Sequence, residues 1–153
     1  KQASVFCMMR IIPQTSSDNY LSGMASLNVP SAEGTGDGHM LGTFSEKNTK
    51  PLQFIAGQSF ISILGCDGIV DRSRNADEYG ILHDGPLWCA THARAIADMV
   101  VKSILVGRNA SHVHLDDWMP SVAHKRQVFD LLMHARVETE FMIKIEMWIK
   151  KHQ

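Results

Sequence analysis

The chain has 153 residues, 44% hydrophobic and 20% charged, a balance that suits one folded domain over 1–153 and excludes a disordered polymer. Fifteen Lys and Arg stand against sixteen Asp and Glu, and the formal charge of -1 gives nucleic acid no global attraction. No apolar run reaches the roughly 18–20 residues of a membrane span.

In chain order, the first apolar run, 5–12, stops at Pro13 and a polar stretch, 14–19, and reads as a buried strand. Residues 21–30 give no clear boundary. A long loop follows over 31–50, in which Gly34, Gly36 and Gly38 fall within five positions. Residues 59–64 read as a central strand, closed by Gly65 and the Asp67-Gly68 turn signal. The short apolar pieces 68–70 and 79–82 flank the polar 72–78, the pattern of a hairpin with a charged tip.

A helix is predicted over about 87–106, with Pro86 at its start and Gly107 just past its end. Ala93, Ile96, Ala97, Val100, Val101, Ile104 and Leu105 share one face, and Arg94, Asp98 and Lys102 form a charge ladder on the other. After the break at 116–121, a second helix is predicted over 121–135. In 137–150, Val137, Thr139, Phe141, Ile143, Ile145, Met147 and Ile149 alternate with mostly polar residues, which points to a strand with one solvated face. A separate helix burying Phe141, Ile145, Trp148 and Ile149 is the alternative.

Three cysteines, Cys7, Cys66 and Cys89, are odd in number and widely spaced, and nine methionines accompany them, which suits a reducing, cytoplasmic setting. Lys1 is not an initiator residue, so the sequence reads as a piece of a longer chain. Eight histidines are the least ordinary feature of the composition. His112 and His114 share a face if their segment is extended, and Cys89 and His92 share one side of a helix, together a four-ligand set for zinc. The competing reading makes His92 a core histidine and leaves His112 and His114 in solvent.

Cys89 near a helix start also suits a nucleophile, with His83 or His92 as base and Asp84 as orienter, against the plainer reading of a packed thiol. Cys66 sits at a turn after an apolar run, but without the spacing of a nucleophile elbow. Asp37 and His39 form the polar pair of the glycine-rich loop. The local cations Lys125, Arg126, Lys150 and Lys151 carry no recognition pattern for nucleic acid. The run Phe141, Ile143, Ile145, Met147 and Trp148 is the best candidate for a partner-binding surface.

Residues 112–117 resemble the H-x-H-x-D-H ligand signature of the metallo-β-lactamase superfamily, with Asp117 where that signature ends in histidine. Too little chain follows Asp117 to supply that family's remaining ligands, so no role is carried over. Residues 21–30 and 89–98 resemble small bacterial mobile-element proteins, without a family that can be named.

The sequence thus predicts an α+β fold: a small, mostly antiparallel sheet, packed helices over about 87–106 and 121–135, and a Gly-rich loop over 31–50. The function expected is that of a non-enzymatic interaction module, antitoxin-, inhibitor- or accessory-subunit-like, with no cofactor. Its partner would be a protein or a second copy of this chain, not a membrane or nucleic acid. The rival is a small zinc- or cysteine-dependent hydrolase using Cys89, His92, His112 and His114.

Overall fold

A computed structural model describes residues 8–33 and 41–153. Four short strands, β1 (Asn19–Leu21), β2 (Phe54–Ala56), β3 (Ile69–Asp71) and β4 (Trp88–Ala90), form a sheet of order β2-β1-β4-β3. Both outer pairs are antiparallel, whereas β1 and β4 run parallel at the centre with Leu21 opposite Cys89. Around the sheet lie α1 (Gly23–Leu27), α2 (Gln58–Leu64), α3 (Ser73–Glu78), α4 (His92–Leu105), α5 (Leu115–Trp118), α6 (Val122–Met133) and α7 (Thr139–His152). The fold is α+β, with a mostly antiparallel sheet. No helix among the described residues is long and apolar enough to cross a membrane.

Side chains that alternate along a strand point to opposite faces, and the core divides accordingly. Tyr20, Ile55 and Ala90 join the cluster built on α4, α6 and α7, while their neighbours Leu21, Phe54 and Cys89 join a second one with Ile12, Phe44 and Leu87. The sheet therefore lies between two apolar layers. The larger layer is centred on α4, twelve of whose fourteen residues are buried.

Several expectations change. Residues 59–64 form α2 rather than a central strand. Phe60, Ile61, Ile63 and Leu64 also fit helical spacing, and the Ser62 hydroxyl donates back to the Gln58 carbonyl at 2.5 Å. The central places go to β1 and β4, each three residues long. The supposed hairpin tip is α3. The Asp71 carboxylate accepts from the Ser73 amide and hydroxyl at 2.9 and 2.5 Å, and Ala76 anchors the turn in the core. These two bonds hold the Asp71 carboxyl below the usual range. Strand β3 pairs with β4, not with 79–82.

The helix expected from residue 87 starts at His92, because Trp88–Ala90 belong to the sheet and the Thr91 hydroxyl accepts from the Arg94 amide at 3.2 Å as cap. Of the first apolar run, the described residues 8–12 make only isolated bridges, Met9 to Ser45 and Ile12 to His83. Of the long loop 31–50, residues 34–40 lie outside the described residues, and Leu41–Phe44 form a 3-10 turn that buries Phe44.

The largest correction concerns the charge ladder. Lys102 is exposed, but Arg94 and Asp98 are fully buried. Arg94 Nε donates to Asp98 Oδ1 at 2.9 Å, and the Tyr20 and Ser22 hydroxyls each donate to Asp98 Oδ2 at 2.8 Å. The other end of the guanidinium donates to the Gly65 and Asp67 carbonyls at 2.7 and 2.9 Å, and to the Tyr20 hydroxyl at 3.1 Å. Burial pushes the Asp98 carboxyl upward against the pull of Arg94 and the hydroxyls. It also raises the Tyr20 phenol, which keeps its proton as a donor. The network ties β1 and the 64–67 turn to α4. Gly68 is required beside it, since its φ is +82° and an added Cβ would lie 2.6 Å from Arg94 Cβ.

Candidate binding groove

Helix α4 separates the proposed zinc ligands. His92 is its first residue, and His112 lies past its C-terminal end, beside Lys102 and Val106. Fourteen residues of helix span about 20 Å, so Cys89, His92, His112 and His114 do not share one ion. Among the described residues no group of three His, Cys, Asp or Glu is placed to hold a metal. His92 is a core histidine, its Nε2 3.1 Å from the Val29 carbonyl. Its backbone amide donates to Glu33, whose other carboxylate oxygen is ion-paired with Arg72. His114 packs edge-on against Trp118.

Cys89 lies among Leu21, Ile81 and Leu87, and burial pushes its thiol up to about 12, the opposite of what a nucleophile needs. Cys66 is exposed. With Cys7 replaced by serine, an aromatic disulfide reagent is expected to modify one thiol, Cys66, in the native protein, and Cys89 only after denaturant is added. Asp37, His39 and Cys7 lie outside the described residues.

His83, read as a possible base oriented by Asp84, instead faces Asp77 at 2.8 Å through Nε2 and the Gly85 carbonyl at 2.6 Å through Nδ1. Burial alone would lower its pKa. The Gly85 bond, the Asp77 carboxylate and the charge of Asp71 outweigh it and raise the ring above its ordinary value. A raised folded-state pKa means that this stabilisation is complete below about 6.5, the unfolded value, and is lost as pH climbs through the folded value. The gap in urea midpoint between wild type and His83→Gln should therefore be widest in mild acid and close toward alkaline pH. A constant gap would mean that His83 contributes only packing.

Residues 137–150 are helix α7, not a strand, and this splits the predicted partner-binding run. Residues two apart on a helix stand about 200° apart around its axis, so the odd-numbered apolar residues divide between two sides. Ile145 is 1% exposed and Trp148 5%, and both belong to the core, with Ile149. Phe141 is half-buried. Ile143 and Met147 are 52% and 66% exposed. The core side is the one given by the helical alternative.

Met147 borders a groove of about 380 Å³ between the C-terminal end of α4 and α7. The chain builds it in three steps. First, α4 ends in a Schellman turn: Gly107, at φ +82°, donates to the Ile104 carbonyl and Arg108 donates to that of Ser103, at 3.0 and 2.9 Å. Second, this turn sets Arg108 and Asn109 on the rim, while the Ser103 hydroxyl accepts from the buried Ala110 amide at 2.9 Å and pins the following loop. Third, Lys144, Met147, Trp148 and Lys151 recur along α7 at helical spacing and supply the other wall.

Ile104 and Trp148 give the groove apolar surface, and the Trp148 indole is fixed by Phe129 edge-on at 6.3 Å and by His152 stacked at 4.3 Å. Its N–H has no acceptor among the described residues. Across Arg108 a second cavity continues the surface, lined by Met24, Met99, Lys102, Val106 and His112. Sequence reasoning missed Lys102, Val106, Arg108, Lys144 and Lys151. Lys144 and Lys151 were legible on the α7 wheel once the helical phase is taken, whereas Lys102, Val106 and Arg108 join them only through the packing of α4 on α7.

Comparison with protein-family models, with curated proteins and with solved structures finds no match, so the chemistry of the groove is read from its own residues.

Proposed function

We propose that this chain is a non-enzymatic interaction module that binds a segment of a partner protein along the groove between α4 and α7. The observation that carries the reading is Met147, 66% exposed on the rim above Ile104 and Trp148, with Val106, 65% exposed, lining the adjoining cavity across Arg108. Exposed methionines make adaptable contacts, and a floor already packed by the core spares the partner much of the ordering cost of binding. The occupant proposed is a helix laid in the groove, with apolar side chains at i and i+4 set against Met147 and the floor.

A random 16-residue peptide library displayed on phage tests this. It would be selected on wild-type protein and screened for loss of binding to Met147→Glu, an exposed position where the fold tolerates the change. Enriched clones that lose binding to the variant support the reading. A selection that yields no Met147-dependent clone sinks it.

A further inference from the structure

We infer that the segment seated in this groove is an acidic amphipathic helix, its carboxylates set against Arg108, Lys144 and Lys151; this rests on the binding face proposed above and names its partner's chemistry. All three cations line the groove, and the adjoining cavity adds Lys102 and His112. Neither lining contains a carboxylate. Among the described residues, Lys102, Arg108, Lys144 and Lys151 are in no ion pair, which holds equally for Arg126, Arg136 and Lys150 elsewhere; what sets this face apart is that its cations cluster without a carboxylate. The chain as a whole carries -1, so this face departs from the molecule's average.

The negative end of a helix dipole accounts for Lys102 and Arg108 at the close of α4, and for Lys151 in the last turn of α7. It does not account for Lys144, six residues into α7, which pairs with neither Glu140 nor Glu146 among the described contacts. Lys144 and Lys151 stand two turns apart, about 10 Å along the helix, with Met147 between them. An apolar residue flanked by cations at that interval matches a helix of two or three turns whose apolar stripe is bordered by Asp and Glu.

A nucleic acid strand shares the charge but not the rest of the fit. Binding single strands calls for exposed aromatic faces on which bases stack, and the one aromatic residue in the groove is 5% exposed and covered by Phe129 and His152. Charge complementarity of this kind acts mainly on association rate and specificity, while the apolar contacts hold the complex.

The peptide selection separates this inference from the reading it rests on. Met147-dependent clones rich in Asp and Glu beside an apolar i, i+4 pair are expected. Their affinity should fall as salt rises, and should drop about tenfold or more for the double variant Arg108→Glu/Lys144→Glu, with an unchanged circular dichroism melt. Met147-dependent clones that are neutral or basic, or that bind independently of salt, overturn the acidic partner while leaving the binding face intact. No Met147-dependent clone overturns both. A fluorescein-labelled oligothymidylate that binds more tightly than the clones, and loses binding to Lys144→Glu, overturns the acidic partner in favour of a nucleic acid.

Discussion

Replacing Arg94 by methionine is expected to cost about 3–5 kcal/mol of folding stability, a large part of the roughly 5–15 kcal/mol that holds an ordinary domain together at 25 °C. The reason is what the substitution leaves behind. Asp98 is fully buried, and with Arg94 gone it keeps two hydroxyl donors and no countercharge. The Gly65 and Asp67 carbonyls lose their donor in the same step, so the turn leading into β3 loosens as well. Tyr20→Phe, which removes only the hydroxyl between Asp98 and Arg94, should cost less, about 1–2 kcal/mol. The double variant Arg94→Met/Asp98→Leu tests the cause, since an apolar pair of similar volume removes both charges at once. Urea unfolding of wild type, Arg94→Met, Asp98→Leu and the double variant, with Tyr20→Phe alongside, decides it. Recovery of stability in the double variant is the expected result. A double variant as unstable as the sum of its parts would mean that shape, not the unpaired charge, sets the cost.

The same network shows where a sequence stops being legible. Arg94, Asp98 and Lys102 at i, i+4 spacing read as a solvated ladder, because on an isolated helix such residues lie in water. What buries the first two is tertiary: Tyr20 and Ser22, more than seventy residues away, supply donors that no local pattern announces. By contrast, α4 and α6 follow from apolar spacing and capping, and both appear, with α4 starting about five residues later than expected, at His92, because Trp88–Ala90 belong to β4. Strands of three residues are too short for alternation to be counted, so β1, β2 and β4 escaped notice and the longer apolar run at 59–64 drew the assignment that belonged to them. The groove was half legible. Its α7 wall lay in the run already singled out, but Arg108 reaches it only through the Schellman turn that ends α4.

Within α7, alanine substitutions should divide by phase rather than by hydrophobicity. Ile145→Ala is expected to cost about 2–5 kcal/mol and Trp148→Ala about 3–5 kcal/mol, since each empties a filled part of the core between α4 and α6. Ile143→Ala and Met147→Ala, each two residues from Ile145 and also apolar, should stay within about 0.5 kcal/mol of wild type, because their side chains are mostly in water. Chemical denaturation of the four variants measures this directly. A strand with one solvated face would give the opposite grouping, with Ile143, Ile145 and Met147 costly together and Trp148 cheap. The division also governs how binding experiments on this helix are to be read. A charge placed at Ile145 destroys the fold, and any complex is lost with it. The same charge at Met147 leaves the core intact, so only at Met147 does a lost complex report on the groove.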